Sequence, residues 1–321
     1  MRILVTGGAG FIGSHLCERL ISEGHSVTAI DNFATGNRSN LAKIEANKNF
    51  KLVAGSILDS EILDPLFENA DYVFHLAAAV GVFNIVNNPL ASMFTNIRGT
   101  ENVLEAANAS KIPVFLASSS EIYGKNTSDS LKENDDRILG SPVKLRWSYS
   151  EAKAIDESLA SAYHVEKNLE TRIVRFFNTV GPRQLGAYGM VVPRFIKAAL
   201  TNEPITIYGN GYQTRCFGHI YDVIDAVMAV AFADNTIGKV INIGNDSEIS
   251  MNGLAQKIIQ ETGSNSDIVY IPYEEAYGDG FEDMERRVPN IELINKLVGW
   301  KPERDLSTMI RDIALEMKSF N

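Results

Sequence analysis

The chain has 321 residues, 45% of them hydrophobic, and a formal net charge of −10 at pH 7. Such a chain can bury a large core as one α/β unit or two closely packed domains, and its negative balance argues against a nucleic-acid partner. The first apolar run, residues 3–5, is too short for a signal-peptide core or a membrane span, so we expect a cytoplasmic protein without membrane contact.

Apolar runs rich in β-branched residues alternate with stretches of helical period through the first half of the chain. Predicted strands cover residues 2–6, 26–31, 50–54, 72–76, 114–118 and 171–176. Predicted helices cover residues 13–22, 65–68, 91–109, 149–163 and 193–201. This alternation is typical of a parallel sheet covered by helices on both faces. It predicts an α/β fold with a Rossmann-type doubly wound parallel sheet.

The alternation loosens after about residue 178, where turns precede a predicted strand at 240–243 and a predicted helix at 251–262. We expect residues 1–177 to form a dinucleotide-binding Rossmann domain and residues 178–321 a smaller α/β substrate-binding domain. The segment 218–244, with a predicted helix at 221–233, is expected to return to the main sheet.

The sequence Gly-Gly-Ala-Gly-Phe-Ile-Gly at residues 7–13 connects the first predicted strand to the first predicted helix. Backbone N–H groups of such a turn bind the pyrophosphate of a dinucleotide. We therefore predict that Gly7, Gly10, Phe11, Ile12 and Gly13 bind a cofactor. The spacing Gly-x-x-Gly-x-x-Gly differs from the commoner Gly-x-Gly-x-x-Gly, and a purely structural turn stays an alternative.

Asp31 ends the second predicted strand about 20 residues after the glycine turn, where a carboxylate accepts hydrogen bonds from the adenosine ribose. Asp31 and Asn32 are therefore predicted cofactor contacts. Because a carboxylate repels a 2′-phosphate, Asp31 favours NAD over NADP, although Arg38 follows nearby.

Polar residues follow the predicted strand at 114–118, at the sheet edge where ligands bind. Ser119, Ser120 and Glu121 stand there. Tyr149 and Lys153 are one helical turn apart, so the ammonium can favour the phenolate and lower the Tyr149 pKa toward neutrality. Tyr149 is thus a candidate general base, with an exposed helix face as the alternative for this pair.

Neither the cysteines nor the histidines have the spacing of metal ligands. Cys17 and Cys216 are far apart, and the five histidines are scattered. Two isolated cysteines suit a reducing compartment, so we expect neither a disulfide nor a metal site.

Further motifs are His-Leu-Ala-Ala at 75–78, Thr-Asn-Ile-Arg-Gly-Thr at 95–100, Phe-Asn-Thr-Val-Gly-Pro-Arg at 177–183 and Asn-Ile-Gly at 242–244. With the glycine turn and the Tyr149/Lys153 pair, they make the chain resemble the extended short-chain dehydrogenase/reductase family over nearly its whole length. Members of that family are NAD-dependent epimerases, dehydratases and decarboxylases that act on nucleotide sugars.

The resemblance implies an enzyme that uses NAD, takes a nucleotide sugar as substrate and pairs the helices near 91–109 and 149–163 in a homodimer. It implies further cofactor contacts at Ser56, Ile57, Leu76, Ala77, Ala78, Asn96, Tyr149 and Lys153, although Ser56 stands where the family often has an adenine-contacting Asp. It implies substrate contacts at Asn178, Val192, Ile207, Tyr208, Arg215 and Arg287. Arg215 matches a diphosphate-binding Arg, and Arg287 could contact either a diphosphate or a sugar carboxylate.

The resemblance also assigns catalytic residues. Ser119 aligns with the hydroxyl that works with Tyr149 and Lys153 in oxidation at C4 of the sugar. Ser120 and Glu121 align with a second polar residue and a Glu of UDP-xylose synthases and some 4,6-dehydratases.

Two segments resemble decarboxylases, namely Arg-Trp-Ser-Tyr at 146–149 and Arg-Val-Pro-Asn at 287–290, whereas residues 79–83 do not match the loop of UDP-xylose synthases. The expected activity is therefore of the UDP-glucuronate decarboxylase type. The alternatives are a UDP-hexose or UDP-glucuronate 4-epimerase, a 4,6-dehydratase of nucleotide sugars and, outside enzymes, a non-catalytic NAD-binding module.

Overall fold

A computed structural model of the chain describes residues 1–81, 85, 87–186, 190–277, 284 and 286–319, with 274 and 277 described for the backbone only. Its strands are β1 (Arg2–Thr6), β2 (Ser26–Asp31), β3 (Phe50–Ala54), β4 (Tyr72–His75), β5 (Val114–Ser119), β6 (Thr171–Phe176), β7 (Thr179–Val180), β8 (Ile205–Tyr208), β9 (Thr214–Cys216), β10 (Gly218–His219), β11 (Val240–Ile243), β12 (Glu248–Ser250) and β13 (Ile268–Ile271). Its α-helices are α1 (Phe11–Ser22), α2 (Ser60–Glu68), α3 (Pro89–Ser110), α4 (Ser148–Lys167), α5 (Val191–Leu200), α6 (Ile220–Ala231), α7 (Met251–Thr262), α8 (Tyr273–Tyr277), α9 (Glu292–Val298) and α10 (Leu306–Ser319).

Within the described residues, seven parallel strands form one sheet in the order β11-β6-β5-β4-β1-β2-β3. The chain moves outward from β1 through β2 to β3 and then crosses back to β4, which pairs with the other side of β1. This reversal creates a crevice at the carboxyl ends of β1 and β4, where doubly wound sheets bind their ligands. The predicted Rossmann-type fold is confirmed.

Both faces of the sheet are covered, which explains why its strands read as continuous apolar runs. One face packs on α1 and α6 through residues such as Leu16 and Ile224. The opposite face packs on α2, α3 and α4 through residues such as Phe67 and Leu104. Fully burying a Leu or Phe side chain contributes about 2 kcal/mol, so packing in these two layers stabilises the sheet.

A third apolar cluster joins α5, α7 and α10 in the second half of the chain, with Phe195, Leu254 and Ile310 at its centre. Three two-stranded pairings surround it: β7 with β10, β8 with β13 and β9 with β12. β11 joins the large sheet beside β6, and α6 packs on α1. The division into domains near residue 177 stays a prediction.

Several elements differ from the sequence expectation at their ends. Helix α1 begins at Phe11 because Gly10 is its N-cap, and α2 begins at Ser60, five residues before the predicted start at Pro65. Proline is common in the first helical turn, which made Pro65 resemble a start, whereas here it stands inside the helix. The short strands β8 and β13 and the helices α9 and α10 were not predicted.

Across the described parts of the chain, no helix combines the length and apolar character needed to cross a bilayer. The same residues contain no group of His, Cys, Asp and Glu side chains suited to a metal ion.

Candidate active site

A cavity of about 730 Å³ lies at the carboxyl edge of the sheet, between the sheet and the elements of the second half of the chain. It brings together most of the predicted site residues. Those that line it are Gly7, Gly10, Phe11, Ile12, Gly13, Asp31, Asn32, Ile57, Leu76, Ala77, Ala78, Ser119, Ser120, Glu121, Tyr149, Lys153, Asn178, Val192, Ile207, Tyr208, Arg215 and Arg287.

Two predicted cofactor residues do not line this cavity. The Ser56 hydroxyl accepts the N–H of Leu58 at 3.2 Å and so caps a local turn. The buried Asn96 amide accepts the N–H of Ala79 at 2.7 Å and donates to its carbonyl at 3.2 Å. Asn96 therefore shapes the loop after β4. In that loop, Val82 and Phe83 lie outside the described residues.

The glycine turn between β1 and α1 has no room for a side chain at Gly7 or Gly13. Gly7 has a φ of +71°, and a Cβ on Gly13 would lie 2.1 Å from the Gly7 carbonyl oxygen. Gly10 caps α1 without a side-chain hydrogen bond, which leaves the first N–H groups of the helix directed toward the cavity. This bare helix N-terminus fits the pyrophosphate of a dinucleotide such as NAD.

Asp31 lies at the end of β2, beside this turn. One carboxylate oxygen accepts the N–H of Ala9 at 2.9 Å and the other that of Phe33 at 2.7 Å. Burial raises the Asp31 pKa, and the backbone donors oppose that rise. Each oxygen can still accept a hydrogen bond from a ribose hydroxyl. Arg38 pairs with Glu45 at 2.5 Å and is 71% exposed, so its guanidinium is engaged at the surface.

Ser119, Tyr149 and Lys153 converge where β5 ends against the first turn of α4. The Ser119 oxygen accepts the N–H of Glu121 at 3.2 Å, and Ser119 also hydrogen-bonds to the Tyr149 hydroxyl. Burial raises the Tyr149 pKa, while the Lys153 ammonium and Ser119 lower it. The ammonium acts in the expected direction, but burial outweighs it and the Tyr149 pKa is raised, so the expected fall of the Tyr149 pKa does not occur.

Glu121 lies between two guanidinium groups at the same edge. Arg146 contacts one of its oxygens at 2.7 Å, and Arg287 donates a short hydrogen bond to the other. Burial alone would raise the Glu121 pKa, but the two arginines hold it well below its usual range. These three side chains together carry one net positive charge, which suits an anionic group of a ligand.

Arg146 was not predicted as a site residue. It precedes Tyr149 by three residues, its side chain is only 7% exposed, and its guanidinium lines the cavity. The only sequence signal was the Arg-Trp-Ser-Tyr segment, which suggested the family branch but assigned Arg146 no contact.

The segment that carries Arg287 is held beside the cavity by backbone hydrogen bonds to Leu131, in the first half of the chain. The Leu131 N–H donates to the Val288 carbonyl at 2.8 Å, and the Asn290 N–H donates to the Leu131 carbonyl at 2.9 Å. Arg287 also donates to the Asn178 side-chain oxygen at 3.1 Å. These contacts fix its guanidinium beside Glu121.

The far end of the cavity is lined by the substrate residues predicted from the second half. Arg215, on β9, is 8% exposed, and Val192 and Ile207 are almost fully buried. The Arg194 guanidinium stacks over the Tyr208 ring at 4.3 Å. This end therefore offers a cation, apolar walls and an aromatic face, which suit a nucleoside diphosphate.

Comparison with known proteins gives matches along nearly the whole chain. The family model for GDP-mannose 4,6 dehydratase matches residues 4–313. A UDP-N-acetyl-alpha-D-glucosaminuronate decarboxylase from Bacillus cytotoxicus is 42% identical over 302 residues, which cover 94% of this chain and 92% of that protein. UDP-glucuronic acid decarboxylase 1 from Xenopus tropicalis is 35% identical over 303 residues, which cover 94% of this chain and 68% of that protein.

Among solved structures, the UDP-glucuronic acid 4-epimerase from Bacillus cereus, in complex with UDP-glucuronic acid and NAD, has a TM-score of 0.90 with this chain. The two are 30% identical, and the match covers 100% of each. Sequence and fold therefore point to the same group of proteins.

Proposed function

The chain belongs to the GDP-mannose 4,6-dehydratase family of extended short-chain dehydrogenase/reductases, a family of enzymes that act on nucleotide sugars, and from this premise we propose that it decarboxylates a UDP-linked hexuronate with NAD as its cofactor. The hexuronate is a UDP-glucuronate or its 2-acetamido analogue, the substrates that the decarboxylases similar to this chain are named for. The reaction leaves a UDP-linked pentose and CO₂.

One observation carries this proposal: Glu121 lies between Arg146 and Arg287, beside Tyr149 and Ser119. Of the protein's side chains, oxidation at C4 of any hexose by NAD needs only the Tyr149, Lys153 and Ser119 group. The two guanidiniums of Arg146 and Arg287 fit a sugar with a carboxylate at C6, because guanidinium is the best protein partner of that anion. Similarity to two decarboxylases supports the same conclusion.

The chain's residues account for the proton and charge movements of this reaction. Tyr149 takes the proton of the C4 hydroxyl, with the Lys153 ammonium stabilising its phenolate. Bound NAD supplies the chemistry of hydride removal from C4 and its later return. A ketone at C4 makes the sugar a β-keto acid. The C5–C6 bond then breaks, its electron pair forms an enolate at C4, and the carboxylate leaves as CO₂.

Hydrogen bonds from Tyr149 and Ser119 to the C4 oxygen stabilise that enolate. C5 then gains one proton. Arg146 and Arg287 orient the C6 carboxylate. Glu121 neutralises part of their positive charge. The substrate carboxylate is therefore not held in a full ion pair, which would oppose loss of CO₂.

The proposed cofactor contacts favour NAD over NADP. Asp31 offers two oxygens to the ribose hydroxyls and would repel a 2′-phosphate, and the Arg38 guanidinium is engaged by Glu45. The glycine turn, which a Cβ at Gly13 would fill, supports binding of the pyrophosphate.

The proposed enzyme is a homodimer of the cytoplasm. Large apolar side chains are exposed on the two helices that would pair, with Leu90 and Phe94 on α3 and Ile155 on α4. Two free, buried cysteines fit a reducing compartment. Light scattering coupled to gel filtration measures the oligomeric state, and a monomer at micromolar concentration would contradict the dimer.

The test is to incubate the purified protein and NAD separately with UDP-glucuronate, UDP-N-acetylglucosaminuronate and UDP-glucose, following products by NMR and mass spectrometry. We expect loss of CO₂ from one or both uronates and no change of UDP-glucose. A product of unchanged mass with inverted C4 would instead support a 4-epimerase, the second candidate, which similarity to the Bacillus cereus epimerase favours.

A further inference from the structure

A second buried carboxylate, Asp156, faces the Lys153 ammonium from one turn further along α4. The Asp156 Oδ2 and the Lys153 Nζ are 3.1 Å apart, and the two side chains are 0% and 3% exposed. Lys153 also donates to the Ala117 carbonyl at 3.0 Å. Burial of an ionised carboxylate is costly unless it is paired, so this contact is a strong constraint on the position of the ammonium.

Asp156 lies beside a chain of buried hydrogen bonds that starts beneath the cofactor turn. The Thr6 hydroxyl contacts the Nδ1 of His75 at 2.8 Å, and the Nε2 of His75 contacts the Thr100 hydroxyl at 3.1 Å. Burial raises the Asp156 pKa, and the Lys153 ammonium and the nearby Thr100 hydroxyl oppose that rise. All these side chains are buried, between β1, β4, α3 and α4.

An ionised Asp156 favours a Thr100 hydroxyl whose proton faces the carboxylate, because a carboxylate attracts only donors. The Thr100 oxygen then accepts from the Nε2–H of His75, and Nδ1 accepts from Thr6. The Thr6 oxygen accepts the Ala77 N–H at 3.2 Å. Burial, with a smaller effect of the Lys153 charge, lowers the His75 pKa to about 3, so the ring is neutral as this arrangement requires.

We infer that Asp156 is a positioning residue that acts on Tyr149 through Lys153: its buried charge, 3.1 Å from the ammonium, cancels part of the ammonium's charge beside Tyr149, while the Ala117 carbonyl also holds the ammonium in place. The inference rests on the proposed function only in taking Tyr149 as the base. The pair of Tyr149 and Lys153 therefore works in the presence of a fixed buried anion, which sets the pH at which the pair first loses a proton.

In the described part of the chain, the other charged groups that act on this pair are Glu157 and Glu121, and both are engaged by arginines. Glu157 follows Asp156 on α4, but it pairs with Arg175 of β6 at 2.8 Å and accepts from Ser118 at 2.5 Å. Glu121, at the end of β5, is bound by its two arginines. On β4 the facing group is the neutral His75, and on α3 it is the hydroxyl of Thr100.

The charge of Asp156 shifts the pKa of both Lys153 and Tyr149 in the same direction. Burial lowers the Lys153 pKa, but Asp156 and Tyr149 raise it to a net value above the ordinary one, and the Asp156 charge also raises the Tyr149 pKa. Removing the anion makes loss of a proton from the pair easier. The acid limb of the kcat/KM profile for whichever nucleotide sugar is turned over should then move to lower pH.

The test compares the wild type with Asp156→Asn and Asp156→Ala. Both variants remove the charge, so the test can be made even if only one of them folds. We expect the acid limb to move down by about one pH unit in either variant, and Asp156→Glu to restore it toward the wild-type pH. The matched control is Glu157→Gln, which removes a buried carboxylate of the same helix that pairs with Arg175 and has a smaller effect on the Lys153 pKa than Asp156 has, so its limb should move less than that of Asp156→Asn.

A second readout needs no substrate. With carbon-13 at Cζ of the tyrosines and the Tyr149→Phe variant for assignment, NMR follows the Tyr149 signal in the protein alone. Its first titration step should move to lower pH in Asp156→Asn by the same amount. An unchanged step, or a move to higher pH, in a folded variant overturns the inference. This readout remains decisive even if no hexuronate is turned over, so the two failures are distinguishable.

Discussion

Glu121 is kept ionised while it is largely removed from water, because two guanidiniums compensate for its lost hydration. Its side chain is 17% exposed, whereas those of Arg146 and Arg287 are 7% and 8% exposed. At such a site a neutral residue would leave two buried cations facing each other. The charge of Glu121, and not only its shape, is therefore required.

Glu121→Gln should reduce kcat for decarboxylation by about 10²-fold or more, because the two arginines then bind the substrate carboxylate as a full ion pair that opposes its loss. For the same reason KM for the hexuronate should not rise. The control is Glu151→Gln, an exposed carboxylate two residues from Tyr149 that contacts Arg137 at 3.4 Å. Equal kcat values for Glu121→Gln and this control would refute the role.

Asp31→Ala should weaken NAD binding about tenfold, since one hydrogen bond to a charged group contributes on the order of 1.5 kcal/mol. Calorimetric titration measures the affinity directly. Arg38→Ala is the matched control, because the Arg38 guanidinium pairs with Glu45 at the surface. Unchanged affinity in Asp31→Ala, or a loss in Arg38→Ala, would contradict the ribose assignment.

Residues that act together locally could be predicted, and residues that meet across the chain could not. Tyr149 and Lys153 are one turn apart, and their helical spacing was sufficient. Glu121 and Arg287 are separated by 166 residues, and no local pattern pairs them. Asp156 has helical spacing to Lys153, but nothing in the sequence indicates that this face of α4 is buried.

At the scale of elements, the β1 to α1 connection joins a strand to a helix by a turn that requires glycine at Gly7 and Gly13. The Gly7 N–H donates to the Ile30 carbonyl at 2.8 Å, which ties the turn to β2. A Cβ on Gly7 would lie 2.8 Å from the Ala77 nitrogen, on the loop after β4. The turn therefore depends on both neighbouring strands.

Gly13→Ala should abolish measurable NAD binding, because its Cβ would lie 2.1 Å from the Gly7 carbonyl oxygen and must displace the turn. Gly218→Ala is the matched control, since the nearest atom to a Cβ there is 3.6 Å away. Equilibrium dialysis with NAD compares the two, and circular dichroism verifies that both are folded. Retained affinity in Gly13→Ala would show that the turn does not hold the pyrophosphate.

The first strand was predicted with its bounds, and the first helix apart from its first two residues, because the strand-end and turn signals are contiguous in sequence. The start of α2 was not, since Pro65 is a common first-turn residue but here stands inside the helix. The β8 and β13 pairing joins residues about 60 apart and is stabilised by the α5, α7 and α10 cluster, which no local pattern reveals.

For the whole molecule, the alternation of strands and helices was enough to predict the sheet, because each buried parallel strand has to be apolar on both faces. The amino-acid composition does not mark the boundary between the domains. We propose that it lies near residue 177 and that residues 218–244 return to the first domain, since β11 extends its sheet. Limited proteolysis with mapping of the fragments would test this.

Two buried histidines should make the folded state less stable in acid. Burial lowers the pKa of His15 to about 4 and that of His75 to about 3. In the unfolded chain both have a pKa near 6.5, so their contribution is complete above that pH and is lost as the pH falls. Below about pH 6 each costs about 1.4 kcal/mol per pH unit.

Urea denaturation at pH 6.0, 5.5 and 5.0 measures how the free energy of unfolding falls in acid. Comparison with His15→Gln gives the contribution of His15 alone. The free energy of unfolding should fall less steeply in that variant, by about 1.4 kcal/mol per pH unit. Equal slopes would mean that His15 is protonated in the folded protein or titrates normally there.

The central claim concerns the fate of C6, and one measurement addresses it most directly. UDP-glucuronate and UDP-N-acetylglucosaminuronate labelled with carbon-13 at C6 are incubated in D₂O with the protein and a substoichiometric amount of NAD, and carbon and proton NMR follow the label. We expect the label of at least one substrate to leave as CO₂ and bicarbonate, and the pentose product to carry one deuterium at C5, while Tyr149→Phe releases no label. Retention of the label in a C4-inverted uronate would contradict decarboxylation and make this enzyme an epimerase.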